Sequence, residues 1–137
     1  MQQILEVIFI YFLVLANNAN AQKIKVNISQ IPNNEGEVIV KLYNSPKSYE
    51  QKEPLKTLYG VINHQKSQVI FKNLQKGEYL VVVIHDQNNN KHLDFNFLGI
   101  PTEKVAVSNG AIGFLGPPDY KDGKFTLNKD TTITIKF

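Results

Sequence analysis

From Tyr79 to Ile84 six consecutive residues, YLVVVI, are apolar or aromatic, and at His85 the chain changes character. A continuous apolar run of this length reads as a central strand with cover on both faces. The residues that follow carry oxygen: Asp86, Asn88, Asn89, Asn90, Asp94 and Asn96. A buried strand that hands a cluster of carboxylates and amides to a loop is a common way for a fold to present a site.

The segments on either side of this run have the period of strands. Ile24, Val26 and Ile28 alternate with Lys23, Lys25 and Asn27, and Val38, Val40 and Leu42 repeat the pattern in EVIVKLY. Between them Pro32, Asn33, Asn34 and Gly36 make a turn, either a hairpin or a corner between two sheets. Ser45 before Pro46 predicts a short capped helix after the second strand. Leu55–Ile62, broken by Gly60, reads as a weak or edge strand, and Gln68–Phe71 as a short one. Leu74 is placed to plug the end of the core, Gly77 to take a positive φ, and Tyr79 to start the central strand. A short strand within Glu103–Val107 and alternating strands at Phe125–Leu127 and Thr131–Phe137 complete the count. Seven or eight short strands with no helix of length predict an all-β fold, an antiparallel β-sandwich of immunoglobulin-like or transthyretin-like (prealbumin-like) type.

With 137 residues the chain has the length of one domain. Residues 1–21 read as a signal peptide: Val7–Ala16 is too short to span a bilayer, and Ala19-Asn20-Ala21 has the small-x-small form of a cleavage site. The alternative is a retained N-terminal anchor. Residues 22–137 are then the single domain, secreted or periplasmic, with no stable membrane span. There is no cysteine, so neither disulfides nor lipidation at a processed cysteine enter the account. All fifteen basic residues are lysine and lie apart in the sequence. Nucleic-acid readers depend on arginine for bidentate and stacking contacts, so no nucleic-acid partner is expected. The partners that remain are cell-envelope components or another protein.

The oxygen-rich loop matches part of a calcium-binding pattern. Asp86, Asn88 and Asn90 stand at its first, third and fifth places, the backbone carbonyl of His92 at the seventh, and Asp94 at the ninth. The sixth place, normally Gly, is Lys91, and the twelfth, normally a bidentate Glu, is Phe97. Glu103 or Asp119 are the candidates for the missing ligand. Calcium is the one cofactor these residues suggest, and any affinity is expected to be weak, about 10⁻⁴ to 10⁻³ M. The competing reading is a turn closed by Asx hydrogen bonds with no ion. His64, His85 and His92 lack the spacing of a transition-metal site. The serines lack a nucleophile elbow, so no catalytic residue is assigned and the chain is not read as an enzyme. A small hydrolase or carbohydrate-active domain using Asp86, Asp94 and His85 is the alternative function. Tyr43, Tyr49 and Tyr59 could stack on sugars, although core packing is the more ordinary use.

GEVIVKLYNSP (36–46), FKNLQKGEYLVVVIHDQNNNKHLDFNFLGIP (71–101) and SNGAIGFLGPPDYKDGKF (108–125) together resemble DUF2141, a family of exported bacterial proteins without an assigned activity. The resemblance implies a secreted or periplasmic β-sandwich of uncharacterised function, either binding or structural. It carries over no catalytic residue. Lys91 departs from the glycine usual after the DxNxN run. The resemblance also extends the expected functional surface to Phe95–Pro101 and Ser108–Pro118, which are expected to gather beside the Asp/Asn loop.

Overall fold

A computed structural model describes residues 21–137, so the leader expected over residues 1–21 falls, apart from Ala21, outside the described residues. The strands are β1 (Gln22–Ser29), β2 (Glu37–Tyr43), β3 (Lys56–Val61), β4 (Ser67–Leu74), β5 (Gly77–Asp86), β6 (Val105–Val107), β7 (Phe125–Leu127) and β8 (Thr131–Lys136). They form two packed sheets, one ordered β4-β1-β8 and the other β3-β2-β5-β6, with β7 pairing the start of β5. Two short helices, α1 (Pro46–Glu50) and α2 (Tyr120–Gly123), sit in connections. Ser45 caps α1 by accepting the Ser48 N–H, as its place before Pro46 predicts. Among the described residues no helix is long and apolar enough to cross a membrane.

The all-β sandwich is as expected, with one departure: β8 lies parallel to β1, Val26 opposite Ile133 and Ile28 opposite Ile135. The reason is the route of the chain. β7 belongs with β5, so the last strand crosses to the other sheet and enters it from the end at which β1 begins. The segment 30–36 likewise proves to be a corner between sheets, since β1 and β2 never pair.

Strand alternation fills the space between the sheets. Ile24, Val26 and Ile28 from β1 meet Val38, Val40 and Leu42 from β2 and Tyr79, Val81 and Val83 from β5, with Phe71, Leu127 and Ile135 closing the cluster. Leu74 is buried at its end, as its position predicts. Gly60 marks a close approach, because a Cβ there would run into the Ser67 hydroxyl and Val38. The same alternation gathers lysines that stand apart in sequence. Lys23, Lys25, Lys72 and Lys136 occupy the outward side of the β4-β1-β8 sheet, whose strands contain no carboxylate.

The outward face of the other sheet is covered as well. Tyr43, Leu80, Val107 and Tyr120 form a second buried cluster, with Tyr49 packed edge-on to Tyr43 at 5.3 Å. Tyr43 and Tyr49 are therefore packing residues, whereas Tyr59 remains half exposed. Burial holds the hydroxyls of Tyr43, Tyr49, Tyr79 and Tyr120 protonated above the ordinary tyrosine value of 10.0. The Tyr120 hydroxyl is buried without a hydrogen-bond partner. The unfolded chain loses these protons first, so stability is complete below about pH 10 and falls as pH rises beyond it. Urea midpoints measured across that range should drop. Tyr120→Phe should reduce the drop while leaving neutral-pH stability equal or slightly higher.

Candidate functional site

Asp86 is the last residue of β5, pairs in register with Glu37, and has no exposed surface. Its neighbour His85 is also buried but points to the opposite side of the sheet, as successive strand residues must. There the His85 Nε2 lies 2.8 Å from the Glu35 carbonyl and its ring meets Phe137 edge-on. Gly36 brings the inter-sheet corner against the end of β5, where a Cβ would collide with the Asp86 carbonyl.

The loop after Asp86 closes on its own side chains. One Asp86 carboxylate oxygen accepts the Asn90 N–H at 3.2 Å and the other the Lys91 N–H at 2.9 Å. Asn88 Oδ1 accepts from Asn90, and Asn90 Oδ1 from the His92 N–H. The two side-chain amides then donate to Asp94, Asn88 to Oδ2 at 2.8 Å and Asn90 to Oδ1 at 2.6 Å. Glu103, nearly buried just before β6, ties the loop together by accepting the N–H groups of Gln87 and Asp94. Asn89 and Lys91 take positive φ, 55° and 66°. Asn tolerates this region; Lys does so here with its ammonium paired to Glu37 and 4.3 Å from the centre of the Tyr59 ring.

The structure thus brings together Asp86, Asn88, Asn90, His92 (through its N–H), Asp94 and one of the two proposed extra ligands, Glu103. Asp119 is elsewhere, exposed before α2 and 3.9 Å from Lys121. Among the described residues no three His, Cys, Asp or Glu side chains converge as a metal cluster would. An ion in this loop would therefore lean on Asn oxygens and the His92 carbonyl. The acid–base trio of the hydrolase reading is split, because His85 and Asp86 lie on opposite faces. The hollow bordered by Asn27, Ser29, Val61, Asn63, Lys66 and Gln68 involves none of the three.

Beyond Asp94 the chain makes a small hairpin, with Phe95 bridged to Pro101. Asn96 organises its tip: its side-chain oxygen accepts the N–H groups of Leu98 and Ile100, its N–H bonds the Ile100 carbonyl, and its carbonyl accepts from Gly99. Thr102 fastens the base to the Asp94 carbonyl. The apolar side chains of the tip face out, Phe97 95 % exposed and Leu98 68 %. A second exposed group, Ile112, Phe114 and Leu115, lies in the connection after β6. Its root at Val107 lies opposite Val82, four residues back along β5 from Asp86. β6 runs antiparallel to β5, with Ile84 opposite Val105 and Val82 opposite Val107, so the two loops are rooted at opposite ends of β6. Ser108 fixes the second root, accepting the Val81 N–H and donating to the Gly123 carbonyl, while the Tyr49 hydroxyl donates to Pro118. Asn96, three residues before Gly99, is thus the turn residue of this hairpin.

Removing the Asp86 carboxylate should free two backbone N–H groups and the loop with them. Asp86→Ala is expected to cost on the order of 2–4 kcal/mol, read as a lower urea midpoint with an unchanged slope.

The model of a family described as an uncharacterized protein conserved in bacteria, DUF2141, matches residues 26–135. No curated protein matches the chain, and no solved structure does. The match runs from within β1 to within β8 and takes in the Asp86 loop, the hairpin and the segment after β6. The chain belongs to the DUF2141 family.

Proposed function

We propose that the protein is an exported binding module whose contact surface is the edge of the sandwich around β6. Phe95, Phe97, Leu98 and Ile100 flank it on one side and Ile112, Phe114 and Leu115 on the other. The supporting observation is the distribution of exposed apolar side chains. Of twelve large ones among the described residues, eight fall between Phe95 and Leu115. Scattered exposed apolar residues are ordinary, but a concentration of this kind marks an interaction site. On this reading the hydrogen-bonded Asp86–Asn96 loop is the brace that holds the hairpin in place, and the partner is a cell-envelope component. In fractionated cells the chain should travel with the envelope. Phe97→Ser combined with Phe114→Ser should release it to the soluble fraction without changing its melting temperature; a double variant that fractionates like its parent would overturn the proposal.

A second reading, a weak calcium site in the same loop, is favoured by one observation. Lys91 adopts the positive φ that a calcium loop requires at its sixth place, with its N–H on Asp86. Asp86, Asn88, Asn90 and Asp94 would supply side-chain oxygens, His92 its carbonyl, and Glu103 the carboxylate missing at Phe97. An ion bound only to the folded state raises stability by mass action. Millimolar calcium should therefore raise the melting temperature of the parent but not of Asp94→Ala. A parent insensitive to both calcium and chelator leaves the loop as a hydrogen-bonded brace alone.

A further inference from the structure

The face of the β4-β1-β8 sheet that turns away from the core collects charge of one sign. Lys23, Lys25, Lys72 and Lys136 lie on it, and its three strands hold no carboxylate. The strands of the facing sheet carry Glu37, Glu78 and Asp86 against Lys41 and Lys56. The ion pairs among the described residues, Lys91–Glu37, Lys121–Asp119 and Lys124–Glu78, engage none of the four. Asp130, the residue before β8, borders the face and accepts the Lys23 backbone N–H at 2.9 Å. Like charges on one surface repel, so packing gives no reason to gather them.

Strand register turns these residues into a strip. Lys25 stands between Ile70 and Thr132, Asn27 between Gln68 and Thr134, and Ser29 beside Lys136, with Lys23 and Lys72 at the other end. Asn27 Oδ1 accepts from Gln68 Nε2 at 2.7 Å. The Asn27 amino group, Gln68 Oε1 and the Thr132 and Thr134 hydroxyls make no hydrogen bond among the described residues. Beside Asn27 and Gln68 lies the hollow completed by Ser29, Val61, Asn63 and Lys66, about 530 Å³ in volume, within the range of small-molecule sites. Lys66 brings a fifth ammonium to that end.

Size and chemistry narrow the occupant. From Lys23 to Ser29 and across three strands the strip measures about 20 Å by about 10 Å. That is roughly 200 Å², well short of the roughly 800 Å² that each partner gives to a protein–protein interface, but enough for one extended chain. The strip has no aromatic ring on which bases stack, and Ile70 is its one exposed apolar side chain, too little for insertion into a bilayer. Lysine ammonium groups are point charges that suit carboxylates without fixing their orientation. The free amides and hydroxyls between them suit sugar hydroxyls.

We infer that this face binds an acidic polysaccharide. Its carboxylates pair with Lys23, Lys25, Lys72 and Lys136, its hydroxyls bond Asn27, Gln68 and Thr134, and one sugar unit enters the hollow beside Lys66. The site lies on the other sheet from the β6 edge and does not depend on the reading of that edge. Exposed ion pairs are weak singly, so affinity comes from several acting together.

Binding of the full chain to immobilised polygalacturonate, with neutral dextran as the comparison, tests this. The parent should bind polygalacturonate and not dextran, less tightly as salt rises. Lys25→Gln combined with Lys136→Gln should weaken binding about ten-fold at an unchanged melting temperature. Lys47→Gln combined with Lys104→Gln removes as much charge from exposed positions outside the strip and should change binding by less than about two-fold. Asn27→Ala should weaken it about three-fold with the salt dependence unchanged, since a neutral hydrogen bond is lost. A parent that ignores polygalacturonate overturns the inference. So does equal weakening by the two lysine pairs, which is attraction to net charge alone. An Asn27→Ala variant that binds like its parent overturns the assignment to a sugar polymer. Strip-dependent binding to phosphatidylglycerol vesicles with none to polygalacturonate overturns it too, because the occupant is then a membrane.

Discussion

A carboxylate with no access to water sits at the end of the central strand, and the architecture around it follows from that. A buried charge is tolerated only when donors are aimed at it. Asp86 receives them from Asn90 and Lys91, which forces the chain to turn back over the strand end within five residues. Turning so sharply requires positive φ at Asn89 and Lys91, and those in turn set where Asn88 and Asn90 direct their amides. Asp94 is fixed by those amides, and the hairpin grows from Asp94. The exposed tip is thus linked to the core by a chain of charge-assisted hydrogen bonds, and the apolar contribution comes from the strands beneath.

The second apolar segment is held by different means. Ser108 serves as both donor and acceptor between β5 and the last residue of α2, beside the tyrosine cluster. Two unrelated devices therefore flank one three-residue strand. Each anchors the root of its segment while leaving bulky side chains in water, an arrangement that folding alone gives no reason for.

The sandwich was legible because period two is a direct consequence of the pleat: Ile24-Val26-Ile28 and Val38-Val40-Leu42 name their buried sides without further information. The central strand was equally plain from its unbroken apolar run. The direction of β8 was not, because alternation is the same in parallel and antiparallel pairs, and only the crossing from β7 decides it. The oxygen-rich loop could be located but its wiring could not. Asp86, Asn88, Asn90 and Asp94 fit an ion or one another equally well on spacing, and Glu103 joins them from nine residues beyond Asp94. The lysines show the reverse case. Four that are scattered in sequence share a face because β1, β4 and β8 are neighbours in space.

The pairing of the first strand with the last has a kinetic meaning. β1 lies between β4 and β8, so its sheet stays incomplete until residues 131–136 are in place. Contacts that distant in sequence slow folding, since the intervening loop must close before any of them stabilises the core. A chain emerging N-terminus first would keep one side of β1 unpaired until its final strand appeared. Such a topology favours delayed, all-at-once closure over folding in stages.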